Sequence, residues 1–212
     1  MIDREAAIEN LEEFIEGLLR VTKTQEALFC FSSSPNFRHE VLPTYKHNRK
    51  GEKPQLFFDL LTYLEETYPD QVKRKPNLEA DDVIGILATM KPKQYVIATL
   101  DKDLDQIPGL HYNWRKEVMY NVTRKEADRQ FYLQVLTGDP TDGYKGCPGI
   151  GIVKAERILD EVEGGDPWPA IVEAYESKGL TEDDALQQAR VARILRVSDY
   201  DFKRKTPILW KP

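Results

Sequence analysis

Apolar positions follow two periods along the chain, and the two alternate. Over residues 3–21, Ile8, Leu11, Phe14, Ile15, Leu18 and Leu19 recur at spacings of three and four, which predicts an amphipathic helix. Residues 27–31 predict a strand, and a polar basic stretch follows it. Residues 55–68 predict a second helix, with Phe58, Leu61 and Leu64 on one side and Pro69 as its stop. A short helix is expected over 81–90. The continuous apolar run 95–100, bounded by Lys-Pro and Asp, predicts a buried strand of a parallel sheet. Residues 111–122 alternate and predict a hairpin at the sheet edge. Thr123 and Glu126 form a capping box that opens a helix reaching about Thr137. Beyond Gly138 the pattern is helical only, and Thr181 caps a last helix reaching about Leu195. The expectation is an α/β fold: a central, mostly parallel sheet flanked by helices over residues 1–122, and a helical region over 123–212.

Composition narrows the class. A chain of 212 residues can bury a real core, and 41% hydrophobic with 31% charged residues is an ordinary globular balance. No apolar run approaches the roughly 20 residues of a membrane span. The N-terminal residues are too acidic and polar for a signal peptide, so a cytoplasmic location is expected. Cys30 and Cys147 are too few for a disulfide framework and lack Cys or His partners at metal-ligand spacing. Cys30 is expected to be a small buried hydrophobe. A net charge of −6 argues against a nucleic-acid partner in sum, but the distribution of charge counts for more.

Seven acids stand at the ends of three predicted elements: Glu79, Asp81 and Asp82; Asp101 and Asp103; Asp139 and Asp142. Asp101 directly follows the predicted strand 95–100, at the carboxyl end where open parallel sheets bind ligands. Each group alone could cap a helix or sit in a solvated turn. Three groups in succession on an α/β pattern point instead to a shared site, because gathered carboxylates repel unless a divalent cation joins them. Two further motifs suggest a substrate. Gly146, Gly149 and Gly151 fall in a tight loop before a helix that carries Lys154 and Arg157, a pattern that lets backbone amides grip a phosphate without reading bases. The basic stretch 36–53 sets Arg38, Lys46, Arg49, Lys50 and Lys53 against Glu40 and Glu52, a balance of +3 in an acidic protein. With Phe37 and Tyr45 it suits a flexible single strand, through phosphate contacts and base stacking.

The segments EADD, DKDLDQIPG and GDPTDGYKGCPGIGIVKAERIL resemble the ordered motifs of the 5′→3′ exonuclease and flap endonuclease superfamily. NFRHEVLPTYKHNRKGEKP and QQARVARILRVSDYDF resemble specifically the exonucleases of short-tailed bacteriophages. This resemblance implies a PIN-like core, a helical arch over the active site, and a helix-hairpin-helix (helix-three-turn-helix) clamp over about 134–160. It implies two divalent ions, Mg²⁺ or Mn²⁺, with K⁺ on the clamp loop in many relatives. Glu79, Asp81, Asp82 and Asp101 would hold the first ion, and Asp103, Asp139 and Asp142 the second. Lys46 and Arg49 would touch the scissile phosphate. Arg38, Tyr45, Lys50, Gly146, Gly149, Gly151 and Lys154 would bind DNA, with Tyr45 stacking on a terminal base. The implied reaction removes nucleotides from DNA 5′ ends and RNA primers from RNA–DNA hybrids, in phage replication or recombination.

Two departures from the family pattern stand out. Relatives begin with a strand ending in Asp-x-Asp, whereas here the first predicted element is the helix at Asp3. After the strand 27–31, relatives commonly carry a ligand aspartate where this chain has Ser33. The first-metal site is therefore expected to be short of two carboxylates, the one from the absent strand to be supplied by a missing N-terminal segment or a companion chain. The alternative is a non-catalytic remnant that binds branched or 5′-ended DNA. A PIN-type ribonuclease is disfavoured by the glycine-rich clamp.

Overall fold

A computed structural model describes residues 3–49, 51–162 and 164–212. The first helix, α1, runs Arg4–Thr22, with Asp3 accepting a hydrogen bond from the Ala6 amide at its N-terminus. Strand β1, Phe29–Phe31, pairs in parallel with β2, Val72–Arg74. Between them lie a single turn of helix, α2 (Arg38–Val41), and α3 (Gln55–Thr67). Leu64 of α3 is buried, while Phe58 is 48% exposed and does not join the packed side expected of it.

Helix α4, Ala80–Met90, leads to β3, Val96–Ala98, which pairs in parallel with β4, Gly109–Asn113. β4 turns back onto β5, Val118–Val122, as the expected antiparallel edge hairpin. Both parallel strands are shorter than the apolar runs that predicted them. Among the described residues no ladder joins β1 to β3, so the expected central sheet is divided into β1–β2 and β3–β4–β5.

The rest is largely helical. Thr123 and Glu126 cap α5, Arg124–Thr137, as the sequence indicated. There follow α6 (Ile152–Glu161), α7 (Trp168–Glu176) and α8 (Glu182–Ala192), the last capped by Thr181 and ending short of Leu195. Residues 193–199 instead run back across the core. The Leu195 amide donates to Asp82, Arg196 donates to the Gln106 carbonyl, and the Val197 amide donates to Thr89. A two-residue antiparallel ladder, β6 (Tyr200–Asp201) with β7 (Thr206–Pro207), places some sheet in the last third, where none was expected. The largest apolar core lies among α5 to α8, and Tyr45 from the basic stretch is packed into it.

Candidate metal centre and nucleic-acid interface

The acids converge from three places. Glu79 and Asp82 form a reciprocal capping box at the start of α4, Asp101 and Asp103 open the 3₁₀ turn after β3, and Asp139 and Asp142 lie in the loop between α5 and α6. Glu79, Asp81, Asp103 and Asp142 line one cleft with Tyr45. A larger cleft of about 510 Å³ beside the β4–β5 hairpin includes Asp101 alone of the seven acids, so size does not locate this chemistry.

Charge compensation divides the acids into two kinds. Asp82 is fully buried and saturated: Arg38 reaches both its oxygens at 2.7 and 2.8 Å, and the amides of Glu79 and Leu195 donate at 3.0 and 3.1 Å. Arg38 is itself 3% exposed and also donates to the carbonyls of Val191 and Arg193. This corrects two expectations. Asp82 has no lone pair left for an ion, and Arg38 is an internal strut that cannot reach DNA. Glu79 is compensated too, by Lys46 at 2.6 Å and Arg38 at 3.3 Å. Burial works to raise its pKa, but the two cations outweigh burial and hold it below the usual range. Asp142 pairs with Arg49 and lies 3.4 Å from Lys46.

The other acids lack such partners. Asp81 is pushed up to about 7, first by burial and then by repulsion from Asp101, Asp82 and Glu79. Asp103 is pushed up to about 6 by burial and by Asp101, Asp139 and Asp142. Among the described residues no three acids stand close enough to form a preassembled cage. The uncompensated oxygens nonetheless fit a hard divalent cation in kind, since their mutual repulsion is what such an ion would relieve.

The basic stretch folds down onto this cleft instead of arching over it. Among its described residues the only helix is α2; turns follow to Asn48, and the Lys46 amide donates to the Asp142 carbonyl at 2.8 Å. Lys46 is held at φ 55°, a left-handed conformation sparse for any residue with a Cβ. Tyr45 is 3% exposed and donates its hydroxyl to Glu79 and Asp142 at 2.8 and 3.0 Å, so it is a brace between acids and not a platform for a base. Lys50 lies outside the described residues.

The glycines also part ways. Gly146 is buried with φ 63°, and a Cβ there would lie 2.3 Å from the Gly138 amide nitrogen, so its role is close packing of the two loop ends. Gly149 (φ 72°) and Gly151, the residue before α6, face open space, and Lys154 reaches the Gly149 carbonyl at 3.1 Å. The residue that sequence reasoning missed is Ser32, whose hydroxyl accepts from the Ala80 amide at the start of α4. Ser33 is turned away to the Lys75 carbonyl at 2.8 Å.

Residues 4–136 match the family model described as 5'-3' exonuclease, N-terminal resolvase-like domain. The chain is 31% identical to the exonuclease of Escherichia phage T7 over 221 aligned positions, covering 87% of this chain and 73% of that relative. It is 30% identical, with the same coverage, to the exodeoxyribonuclease of Enterobacteria phage T3. In fold it is similar to a phage T5 protein co-crystallised with metal ions, with a TM-score of 0.68 at 16% identity over 87% of this chain and 80% of that one.

Proposed function

The chain belongs to the 5'-3' exonuclease family, and on that premise we propose that it is a divalent-metal-dependent nuclease that hydrolyses phosphodiester bonds at DNA 5′ ends and flaps and removes RNA primers from hybrids. The observation that carries this reading is one cleft lined by Glu79, Asp81, Asp103 and Asp142, with Lys46 and Arg49 on its acids. By this reading Glu79, Asp81 and Asp101 hold one ion, Mg²⁺ or Mn²⁺, and Asp103, Asp139 and Asp142 a second. A bound pair of such ions supplies an activated water and offsets charge on the leaving oxygen. Lys46 and Arg49 exchange their carboxylate partners for the phosphate oxygens, as charge-assisted donors. Tyr45 keeps Glu79 and Asp142 in register. The open amides at Gly149 and Gly151, with Lys154, would grip the backbone further along the strand, and the loop's carbonyls would hold K⁺ if that ion binds.

A second reading is favoured by one observation: the cations already neutralise Glu79 and Asp142, as they would in a protein that holds DNA without cutting it. A titration of Mg²⁺ and Mn²⁺ against a labelled 5′ flap and a blunt duplex separates the two. Metal-dependent release of 5′-phosphate products is expected. Retention of the flap with no cleavage at any metal concentration would overturn catalysis and leave the binding reading.

A further inference from the structure

The cleft of about 510 Å³ between the β4–β5 hairpin and the turn after β3 has a chemistry of its own. Its volume lies within the roughly 300 to 1,000 Å³ of small-molecule sites. Part of its lining is apolar: Leu100, Val118 and Tyr120 face it, and the first two are 41% and 48% exposed. Tyr120 is fixed, because its hydroxyl donates to Asp105 at 2.8 Å and its ring stacks on the buried His111 at 5.3 Å. A held aromatic ring with apolar neighbours in an open cleft suits a planar group such as a nucleobase.

The rest of the lining is charged. Lys102, Arg115 and Lys116 border the cleft, and among the described residues none of their side chains forms a hydrogen bond or an ion pair. Arg115 and Lys116 are adjacent at the exposed hairpin tip, where their amides donate to the Asn113 side-chain oxygen at 3.2 and 3.0 Å. Trp114, beside them in the chain, packs edge-on against Phe14 of α1 at 5.4 Å, which anchors the tip. Unpaired cations on an anchored turn fit an anion with several oxygens, a phosphate above all. Asp101 and Asp105 also line the cleft. Tyr120 occupies one oxygen of Asp105, and the other has no hydrogen-bond partner among the described residues, so it can accept from a neutral donor such as a sugar hydroxyl. Two carboxylates among three cations oppose a continuous run of phosphates and favour a ligand charged at one end only.

We propose that this cleft binds a 5′-mononucleotide, with its phosphate on Lys102, Arg115 and Lys116, a sugar hydroxyl on Asp105, and its base against Leu100, Val118 and Tyr120. Such a nucleotide is the class of product that the proposed cleavage releases, and the site rests on that reading only for the source of its ligand. Beside Asp101, it would retain that product at the edge of the acidic cleft.

The test is calorimetric titration of the whole chain with 5′-AMP in chelator, so that no cleavage takes part, with amide NMR shifts to locate the site. Saturable binding with a dissociation constant at or below about 1 mM is expected, with the largest shifts at Asn113, Lys116 and Val118. Arg115→Glu and Lys116→Glu, both on the exposed tip, should each weaken it by about 10-fold or more, the worth of one charge-assisted hydrogen bond. Adenosine, which lacks the phosphate, should lose at least as much. Absence of saturation at about 10 mM would overturn the site. So would binding that both Glu variants retain and Lys154→Ala loses, which would move the nucleotide to the glycine loop before α6. A thymidine oligonucleotide without a 5′ phosphate that shifts the same amides and binds more tightly than AMP would assign the cleft to a DNA strand and overturn the mononucleotide. AMP binding without any metal-dependent cleavage would sink the proposed function and leave this site standing, and cleavage without AMP binding would do the reverse.

Discussion

Arg38 and Lys46 belong to one basic stretch, yet the fold gives them opposite work. Arg38 is enclosed with Asp82, and removing one member of such a buried pair leaves the other charged and unpaired. Arg38→Ala should lower stability by about 3 to 5 kcal/mol in urea melts. Arg38→Lys should recover only part of this, since a lysine cannot span both Asp82 oxygens and two carbonyls. A loss below about 1 kcal/mol would remove the strut. Lys46→Ala, at a residue 20% exposed, should leave the melt little changed and reduce cleavage by roughly 100-fold, in the manner of a lost electrostatic donor. The residue types in this stretch were legible as a basic segment. Which of them faces inward was not, because that depends on Asp82 and on the carbonyls of Val191 and Arg193, distant in sequence.

Elements with local causes were read correctly. The α5 capping box, the α8 cap and the β4–β5 hairpin each rest on residues a few positions apart. The glycine loop before α6, proposed above as a clamp, is tested locally too. Lys154→Ala should weaken DNA binding and reduce the slope of log affinity against log salt by about 0.7 to 0.9, the value of one phosphate contact. Asp142→Ala should leave that slope unchanged and abolish cleavage, and equal binding losses in both variants would end this division of labour. Gly149→Ala should mimic the binding loss, because a Cβ at φ 72° is strained even in open space. The hairpin carries a pH effect that sequence periodicity could not show. His111 is fully buried, with one ring nitrogen on the Ile107 carbonyl at 2.8 Å and the other unpaired. Burial lowers its pKa, against the opposing pull of that bond and of Asp105. The native ring thus stays neutral where the unfolded ring, with a pKa of about 6.5, takes up a proton. The unfolded state then binds more protons, so this contribution to stability is full above about pH 6.5 and is lost as pH falls below it. His111→Gln keeps a donor for Ile107 and should flatten the stability difference between about pH 7.5 and pH 5.5 in paired urea melts.

At the scale of the whole molecule, the cleft sets folding against function. Asp81, on α4, and Asp103, in the turn after β3, are held where the charge of Asp101 reaches both and that of Asp139 reaches Asp103, and burial and this repulsion outweigh the pull of Arg38 and Lys102. The sequence shows three acidic groups but not this division, since compensation by Arg38 and Lys46 exists only once the basic stretch has folded across the cleft. A protein held this way should gain stability from either of two changes. Adding Mg²⁺ or Mn²⁺ should raise the melting temperature in proportion to the binding, by about 2.7 kcal/mol at a hundredfold excess over the dissociation constant. Asp101→Asn should raise the melting temperature without metal, because it removes a charge that Asp81 and Asp103 both oppose, and should cancel most of the metal-induced rise. Calorimetric scans of both proteins, in chelator and across a metal titration, read the two effects together. If Asp101→Asn instead melts lower without metal and still responds to it in full, Asp101 belongs to the loop and not to the ion, and the grouping of the acids proposed for this cleft is wrong.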